Sequence, residues 1–275
     1  MGINTTQLFI GFFTAMLIAL AAWRARSLSV SGAWAAAGLG TVIFGLGGWQ
    51  WAVVLLGFFI SSSGMSRLAK KRKVVFAEKF SKGSQRDAGQ VLANGGVAGL
   101  CVLLHLLAPQ GGWTWLAFAG SLAAANADTW ATELGVLGRS TPRLIITGKP
   151  VEKGESGGVT WEGTLAAFGG ALLIALLSAA VEGSLGLALP FNALARIGLI
   201  ALAGLLGSLF DSLLGATVQA IYTCPACNKE TEHHPQHTCG ALTTLKRGLP
   251  WMDNDWVNML CTLCGALAAG VIIFF

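Results

Sequence analysis

The chain has 275 residues, of which 54% are hydrophobic and only 11% charged, and its formal net charge is +5. A soluble domain carries about 25% charged residues, so this composition excludes an ordinary soluble enzyme or a disordered tail. It calls for a polytopic membrane protein with no nucleic-acid partner. The 37 glycines suit helices that pack closely through small residues in a membrane. Tryptophans at Trp49, Trp51, Trp113, Trp115, Trp161, Trp251 and Trp256 fall near the ends of apolar runs, where an interfacial aromatic belt is expected.

In chain order the apolar runs predict spans near Leu8–Trp23, Ser31–Leu46, Trp49–Ser63, Val91–Leu107, Trp113–Leu137, Leu165–Val181, Ala193–Tyr222 and Val257–Phe275. The first reads as an anchor rather than a removed signal peptide, having no basic residue before it and no clear cleavage site. The expected fold is all-α: one transmembrane helical bundle of about eight spans over residues 1–275, with a Cys/His loop at 223–252. Lys and Arg fall after the first, third, fifth and seventh spans, and Arg196 alone of the 18 lies elsewhere. The positive-inside rule therefore places these four loops, the Cys/His loop among them, in the cytoplasm and both termini outside. A bacterial or archaeal plasma membrane with a cytoplasm-facing site is the expected setting.

The polar residues in these apolar runs carry the functional signal. Before the fourth span, Arg86 is suited to pair phosphate oxygens bidentately. Asp87 either caps the helix or holds a metal, and Asn94 lies one turn inside. The fifth span contains Asn126, Asp128, Thr129, Thr132 and Glu133. A carboxylate at membrane depth is costly without a cation, partner or water, so these acids mark a functional site. Asn126, Thr129 and Glu133 share one helical stripe. Asp128 falls on another, so either the two acids serve different ligands or the helix is distorted. A purely structural polar network is the plainer alternative.

The glycine-rich loop Thr147–Gly158 contains Lys149 and Lys153 and can wrap phosphates, although an ordinary loop has the same composition. In the seventh span Asp211 sits on a stripe with Gly204, Gly207 and Gly215. It reads as a metal ligand or, alternatively, a proton carrier. Asp253, Asn254, Asp255 and Asn258 open the last span, with Asp253 also suited to an N-cap. Oxygen ligands on several helices suit Mg2+ bridging to substrate phosphates. Cys224, Cys227 and Cys239, with His237 as the simplest fourth ligand, can close a tetrahedral Zn2+ site. A redox-active or unliganded loop is the other reading. Cys261 and Cys264 read as small packing residues.

Several runs resemble one known family. They are Ser61–Ser63, Gln-Arg-Asp-Ala-Gly-Gln-Val-Leu-Ala-Asn-Gly-Gly from Gln85, Asn-Ala-Asp-Thr-Trp-Ala-Thr-Glu from Asn126, Gly-Ser-Leu-Phe-Asp-Ser-Leu-Leu-Gly-Ala-Thr from Gly207, the CxxC loop, and Asp-Trp-Val-Asn from Asp255. The family is the integral-membrane family that includes plant phytyl-phosphate kinase. The resemblance implies phosphate transfer from a nucleoside triphosphate to a polyprenyl monophosphate of the phytyl or geranylgeranyl type, giving the diphosphate. A remoter likeness to the dolichol-kinase and cytidylyltransferase group hints at CTP as donor.

On that reading Asp128, Glu133 and Asp211 hold magnesium and form the catalytic set, with Asp255 a further ligand. Arg86, Lys149 and Lys153 hold phosphates, Asn94, Asn126 and Asn258 orient oxygens, and Asp87 lies beside the substrate. Membrane lipids surround the prenyl tail. An ion-coupled transporter or lipid flippase is the competing class, since intramembrane acids also serve ion coupling. A membrane scaffold that recruits a partner through its CxxC loop is a third.

Overall fold

A computed structural model describes residues 4–73, 85–187 and 189–271, with side chains for all of these except residues 69–73. Lys79 and Lys82 of the basic loop lie outside the described residues, as does the tip of the last predicted span. Among the described residues, eight α-helices account for most of the length: α1 (Thr5–Arg24), α2 (Val30–Val42), α3 (Trp49–Lys73), α4 (Ala88–Leu107), α5 (Gly112–Leu137), α6 (Trp161–Glu182), α7 (Ala193–Thr217) and α8 (Asn254–Gly270). A π-helical turn, Ile43–Gly47, extends α2.

Local chemistry sets where the helices start. Asn4, Ser29, Thr160, Asn192 and Asp253 each accept a backbone N–H one turn into α1, α2, α6, α7 and α8, which satisfies donors a helix start leaves orphaned. Asp87 and Gln90 form a reciprocal capping box on α4. Several sequence boundaries shift; α3 runs on to Lys73, past the expected Ser63, and α6 starts at Trp161 rather than Leu165. The seventh helix ends at Thr217, because residues 221–224 pair as a strand. The last helix starts three residues before Val257, at the Asp253 cap.

Among the described residues, six helices are long and apolar enough to cross a membrane: α1, α2 with its π turn, α3, α4, α6 and α7. The helix α5 is the hub, packing against α3, α4, α6, α7 and α8, and nearly every residue from Gly112 to Ala127 is buried. Small residues make this possible. A Cβ on Gly120 would lie 2.4 Å from the Gly265 carbonyl oxygen, and one on Gly265 would lie 2.5 Å from that of Gly120. At the end of the bundle where α3 and α5 begin, Trp51, Trp115 and Phe118 form an aromatic knot with centroids 4.7 to 5.7 Å apart. Trp51 and Trp115 are thus core residues rather than belt residues. Trp49, Trp161, Trp251 and Trp256 remain exposed, as a belt requires.

At the opposite end lie the basic connections and five short strands, which the all-α expectation did not include. Arg143–Leu144 (β1) pairs antiparallel with Gly158–Val159 (β2). Ile221–Cys224 (β3), Lys229–Thr231 (β4) and Thr244–Arg247 (β5) form a sheet in the order β4-β3-β5.

Candidate functional site

At this basic end a cavity of about 620 Å³ opens between α3, α4, α5, α6, α7, the start of α8, the glycine-rich loop and the Cys/His loop. Of the residues expected at a site, Arg86, Asn94, Asp128, Glu133, Asp211 and Asn258 line it together.

The cavity has two electrostatic neighbourhoods. In one, the charges of Asp128 on α5 and Glu232 in the Cys/His loop act on Asp211 of α7, and Asp211 Oδ2 is buried with no hydrogen-bond partner. In the other, Glu133 Oε1 accepts a 2.9 Å bond from Ser66 Oγ and its charge reaches Arg86. Arg86 donates to Ser62 Oγ at 3.1 Å and stands 5.6 Å from the centre of the Phe58 ring. Burial pulls the Arg86 guanidinium down to about 10, against the opposing pull of Glu133, so it is charged at neutral pH.

The backbone holds Arg86 in place. Its N–H donates to the Ser27 oxygen and its carbonyl accepts from Ser29, both at 3.0 Å, in a bridge between residues 28 and 86. Gly32 permits this approach, since a Cβ there would lie 2.0 Å from the Arg86 carbonyl oxygen. Arg67 ties the same corner, donating to Ala25 O and Ser27 Oγ.

Five expected residues sit elsewhere. Asn126 is fully buried; it accepts from Ser61 Oγ and donates to Gly170 O, both at 2.8 Å, and so rivets α5 to α3 and α6. Asp87 caps α4. Lys149 is exposed on its loop. Lys153 donates through Nζ to Gly138 O at 2.6 Å, where a cation suits the carbonyl end of α5. Asp255 lies in the first turn of α8 and does not line the cavity. The glycine-rich loop does reach it through Gly154, Glu155, Ser156 and Gly157.

Sequence reasoning missed several lining residues. Ser66 carried no signal beyond polarity, and Glu232, His233 and Thr238 are brought in by the fold of the Cys/His loop. Ser156 Oγ donates to Gln219 Oε1 at 2.5 Å, and Gln219 Nε2 donates to Glu232 Oε1 at 2.9 Å.

A second, apolar cleft of about 130 Å³ runs between α1, α2, α3 and α4 and is lined by side chains such as Ile18, Leu39, Phe44 and Phe59. It meets the polar cavity at Arg86, Gln90 and Asn94, which line both.

The oxygen donors of Asp128, Glu133 and Asp211 suit a hard cation, and the unpartnered Asp211 Oδ2 gives one a ligand. The three carboxylates share a cavity without meeting at one point. Among the described residues, the only His, Cys, Asp or Glu cluster with ligand atoms all within 4.8 Å is Cys224, Cys227, His237 and Cys239. A hydrogen bond with His237 pulls the Cys239 thiol down to about 6, and one with Cys239 pushes Cys227 up to about 11. Cys261 is buried packing on α8, as expected.

Apolar helices around a polar cavity, with ionisable groups on the central helix, define an integral membrane protein. The chain belongs to the family described as integral membrane protein DUF92, whose model matches residues 13–266. It is 35% identical to Protein PGR of Arabidopsis thaliana over 94% of this chain and 93% of that one. It is 30% identical to the membrane protein MJ0933 of Methanocaldococcus jannaschii over 100% and 99%. Protein VTE6, chloroplastic, of Arabidopsis thaliana is 25% identical over 88% of this chain and 64% of that one. No solved structure matches the chain.

Proposed function

We propose that this protein is a membrane phosphotransferase that moves a phosphoryl group from a nucleoside triphosphate to a polyprenyl monophosphate, giving the diphosphate. The observation that carries this reading is the junction of the two cavities. A charged compartment with Asp128, Asp211, Glu133 and Arg86 shares a wall, formed by Arg86, Gln90 and Asn94, with an apolar cleft. An amphiphile with a phosphate head and a hydrocarbon tail matches that division. The resemblance to the family of plant phytyl-phosphate kinase points the same way, and the remoter likeness to the dolichol-kinase and cytidylyltransferase group favours CTP among donors.

Asp128, Glu133 and Asp211, which line one cavity, would hold Mg2+ on this reading. Magnesium usually keeps waters and bridges to phosphates rather than filling an all-protein cage, which suits carboxylates that share a cavity without converging. The ion supplies charge neutralisation for the transferred group. Arg86 grips the acceptor phosphate, and Asn94 and Asn258 orient its oxygens. An acceptor phosphate oxygen attacks the γ-phosphorus, the β–γ phosphoanhydride bond breaks, and the nucleoside diphosphate leaves. The acceptor is already ionised, so catalysis is positioning and charge stabilisation without a general base.

The same proposal takes all eight helices as spans, places both termini outside, and faces the cavity to the cytoplasm of a bacterial or archaeal cell. It is supported by the clustering of the basic connections around the cavity. The far end is filled by the Trp51–Trp115–Phe118 knot and by a Glu182–Arg196 ion pair of 2.5 Å. That weighs against a transport path open to both sides.

The deciding experiment incubates purified protein in detergent with prenyl phosphates, labelled nucleoside triphosphates including CTP, and magnesium. Magnesium-dependent prenyl diphosphate is expected. Its absence with every nucleotide and chain length, from folded protein, would overturn the proposal.

A further inference from the structure

We propose that Cys224, Cys227, His237 and Cys239 bind one tetrahedral zinc ion, and that this ion fixes the roof of the acidic cavity. The three Sγ atoms and His237 Nδ1 all lie within 4.8 Å of one another. Cys224 Sγ to Cys239 Sγ is 3.5 Å, Cys227 Sγ to His237 Nδ1 is 3.7 Å, and His237 Nδ1 to Cys239 Sγ is 3.2 Å. Ligands about 2.3 Å (sulfur) and 2.0 Å (nitrogen) from a tetrahedral zinc stand roughly 3.5–3.8 Å apart. The cluster is close to that arrangement, and none of its cysteines is in a disulfide.

The backbone presents the ligands as two knuckles. In the first, Asn228 N donates to Cys224 O at 2.8 Å while Asn228 takes a positive φ of 52°. In the second, Gly240 N donates to His237 O at 2.8 Å and Gly240 has φ of 86°. Both turns draw the side chains of a pair to one side. Three thiols and an imidazole, with no carboxylate, are the donor set of a structural zinc site rather than a magnesium site. The module also needs such a staple. Its strands are three or four residues long, and Leu242, Leu245 and Leu249 are exposed rather than gathered into a core. A small unit of this kind depends on a metal for its folding energy.

The ion's position gives it a second consequence. The segment between the two ligand pairs carries Glu232 and His233 to the cavity, and Thr238 reaches it from between His237 and Cys239. From Glu232 the contact continues through Gln219 to Ser156 in the glycine-rich loop. Fixing both knuckles fixes one wall of the site, although no ligand of this cluster lines the cavity.

The test has two readouts, neither of which needs turnover, so it is separate from the phosphotransferase assay. Protein purified without chelators is analysed for metal by mass spectrometry, alone and after cobalt exchange. About one zinc per chain is expected, with thiolate-to-cobalt charge-transfer absorption in the exchanged form. Cys224→Ser with Cys227→Ser should lose the metal and His237→Cys should keep it. Substoichiometric zinc (below about a tenth per chain) in the wild type, or full zinc in the double variant, would overturn the site. Hydrogen exchange is then followed in wild-type protein before and after chelation. Exchange should rise at residues 225–240 and 154–158 and stay unchanged in α1 and α2. No rise at 225–240 or at 154–158 would overturn the role as a roof clamp.

Discussion

Asp128 and Glu133 stand on one unbroken helix and serve different neighbours. Asp128 acts on Asp211 of α7, whereas Glu133 accepts from Ser66 of α3 and faces Arg86. Five residues on an α-helix turn through about 140°, so the two acids point to separate sectors of a cavity that wraps around α5. The helix needs no distortion to use both.

The Asp128–Asp211 side is the expected ion-binding side. Asp128→Asn, and separately Asp211→Asn, should abolish phosphoryl transfer while leaving the folded yield and detergent melting profile intact. Raising magnesium should not restore activity. Wild-type turnover in either variant, measured by diphosphate formation, would contradict the assignment.

Arg86→Lys keeps the charge but removes the planar fork. Loss of hydrogen bonds to a charged group costs about 1.5–3 kcal/mol, or roughly ten- to a hundredfold in kcat/KM for the prenyl phosphate. The KM for the nucleotide should change little. An equal loss for both substrates would place Arg86 elsewhere in the reaction.

Gly32 lies against the Arg86 backbone and so bears on where Arg86 sits. Gly32→Ala puts a methyl group 2.0 Å from the Arg86 carbonyl oxygen, an overpacking expected to cost about 1–3 kcal/mol. Thermal unfolding should fall accordingly, with a loss of prenyl phosphate binding that resembles Arg86→Lys. Normal binding in a folded Gly32→Ala protein would show that the corner is pliable.

The apolar cleft should select the tail. Ala36→Phe fills it beside Leu39 and should raise the KM for a long-chain prenyl phosphate while sparing a short, water-soluble one. Equal effects on both acceptors would remove the cleft from the substrate path.

The Glu182–Arg196 pair is 2.5 Å long with side chains 5% and 13% exposed, and Arg196 also donates to the carbonyls of Pro190 and Phe191. Removing Arg196 alone leaves a buried carboxylate and should destabilise by about 3–5 kcal/mol. The double variant Glu182→Leu/Arg196→Leu should recover much of that. Melting in detergent checks both; a double variant worse than the single one would show that Arg196 acts mainly through the carbonyls.

Much of this was legible in sequence. Each of the eight helices coincides with one of the apolar runs, because hydrophobicity dominates where the solvent is lipid. Asn94, Asp128, Glu133, Asp211 and Asn258 stood out for being polar in apolar runs, Arg86 for a fork suited to phosphate just before one, and the structure gathers them around one cavity. Asn126 broke the same rule for another reason. A buried amide between α3 and α6 satisfies its own hydrogen bonds, and composition does not distinguish that from ligand binding. Lys153 read as a phosphate ligand because a cation in a glycine-rich loop looks the same whether it faces a ligand or a helix terminus. The small strands and the contributions of Glu232, His233 and Thr238 depend on long-range pairing around the Cys/His cluster. Local sequence carries no record of that pairing.

The placement of α5 bears on how the protein is made. It is the most enclosed helix and carries two of the cavity's acids, yet it is absent from the six helices apolar enough to cross on their own. An aspartate at the middle of a lone inserted helix costs about 2.5–3.5 kcal/mol. On the proposed topology, α5 enters the bilayer against protein rather than lipid, with α3 and α4 already waiting at the translocon and α6 following closely. Glycosylation mapping of α5 in isolation should then find it failing to integrate where the α3–α6 segment succeeds.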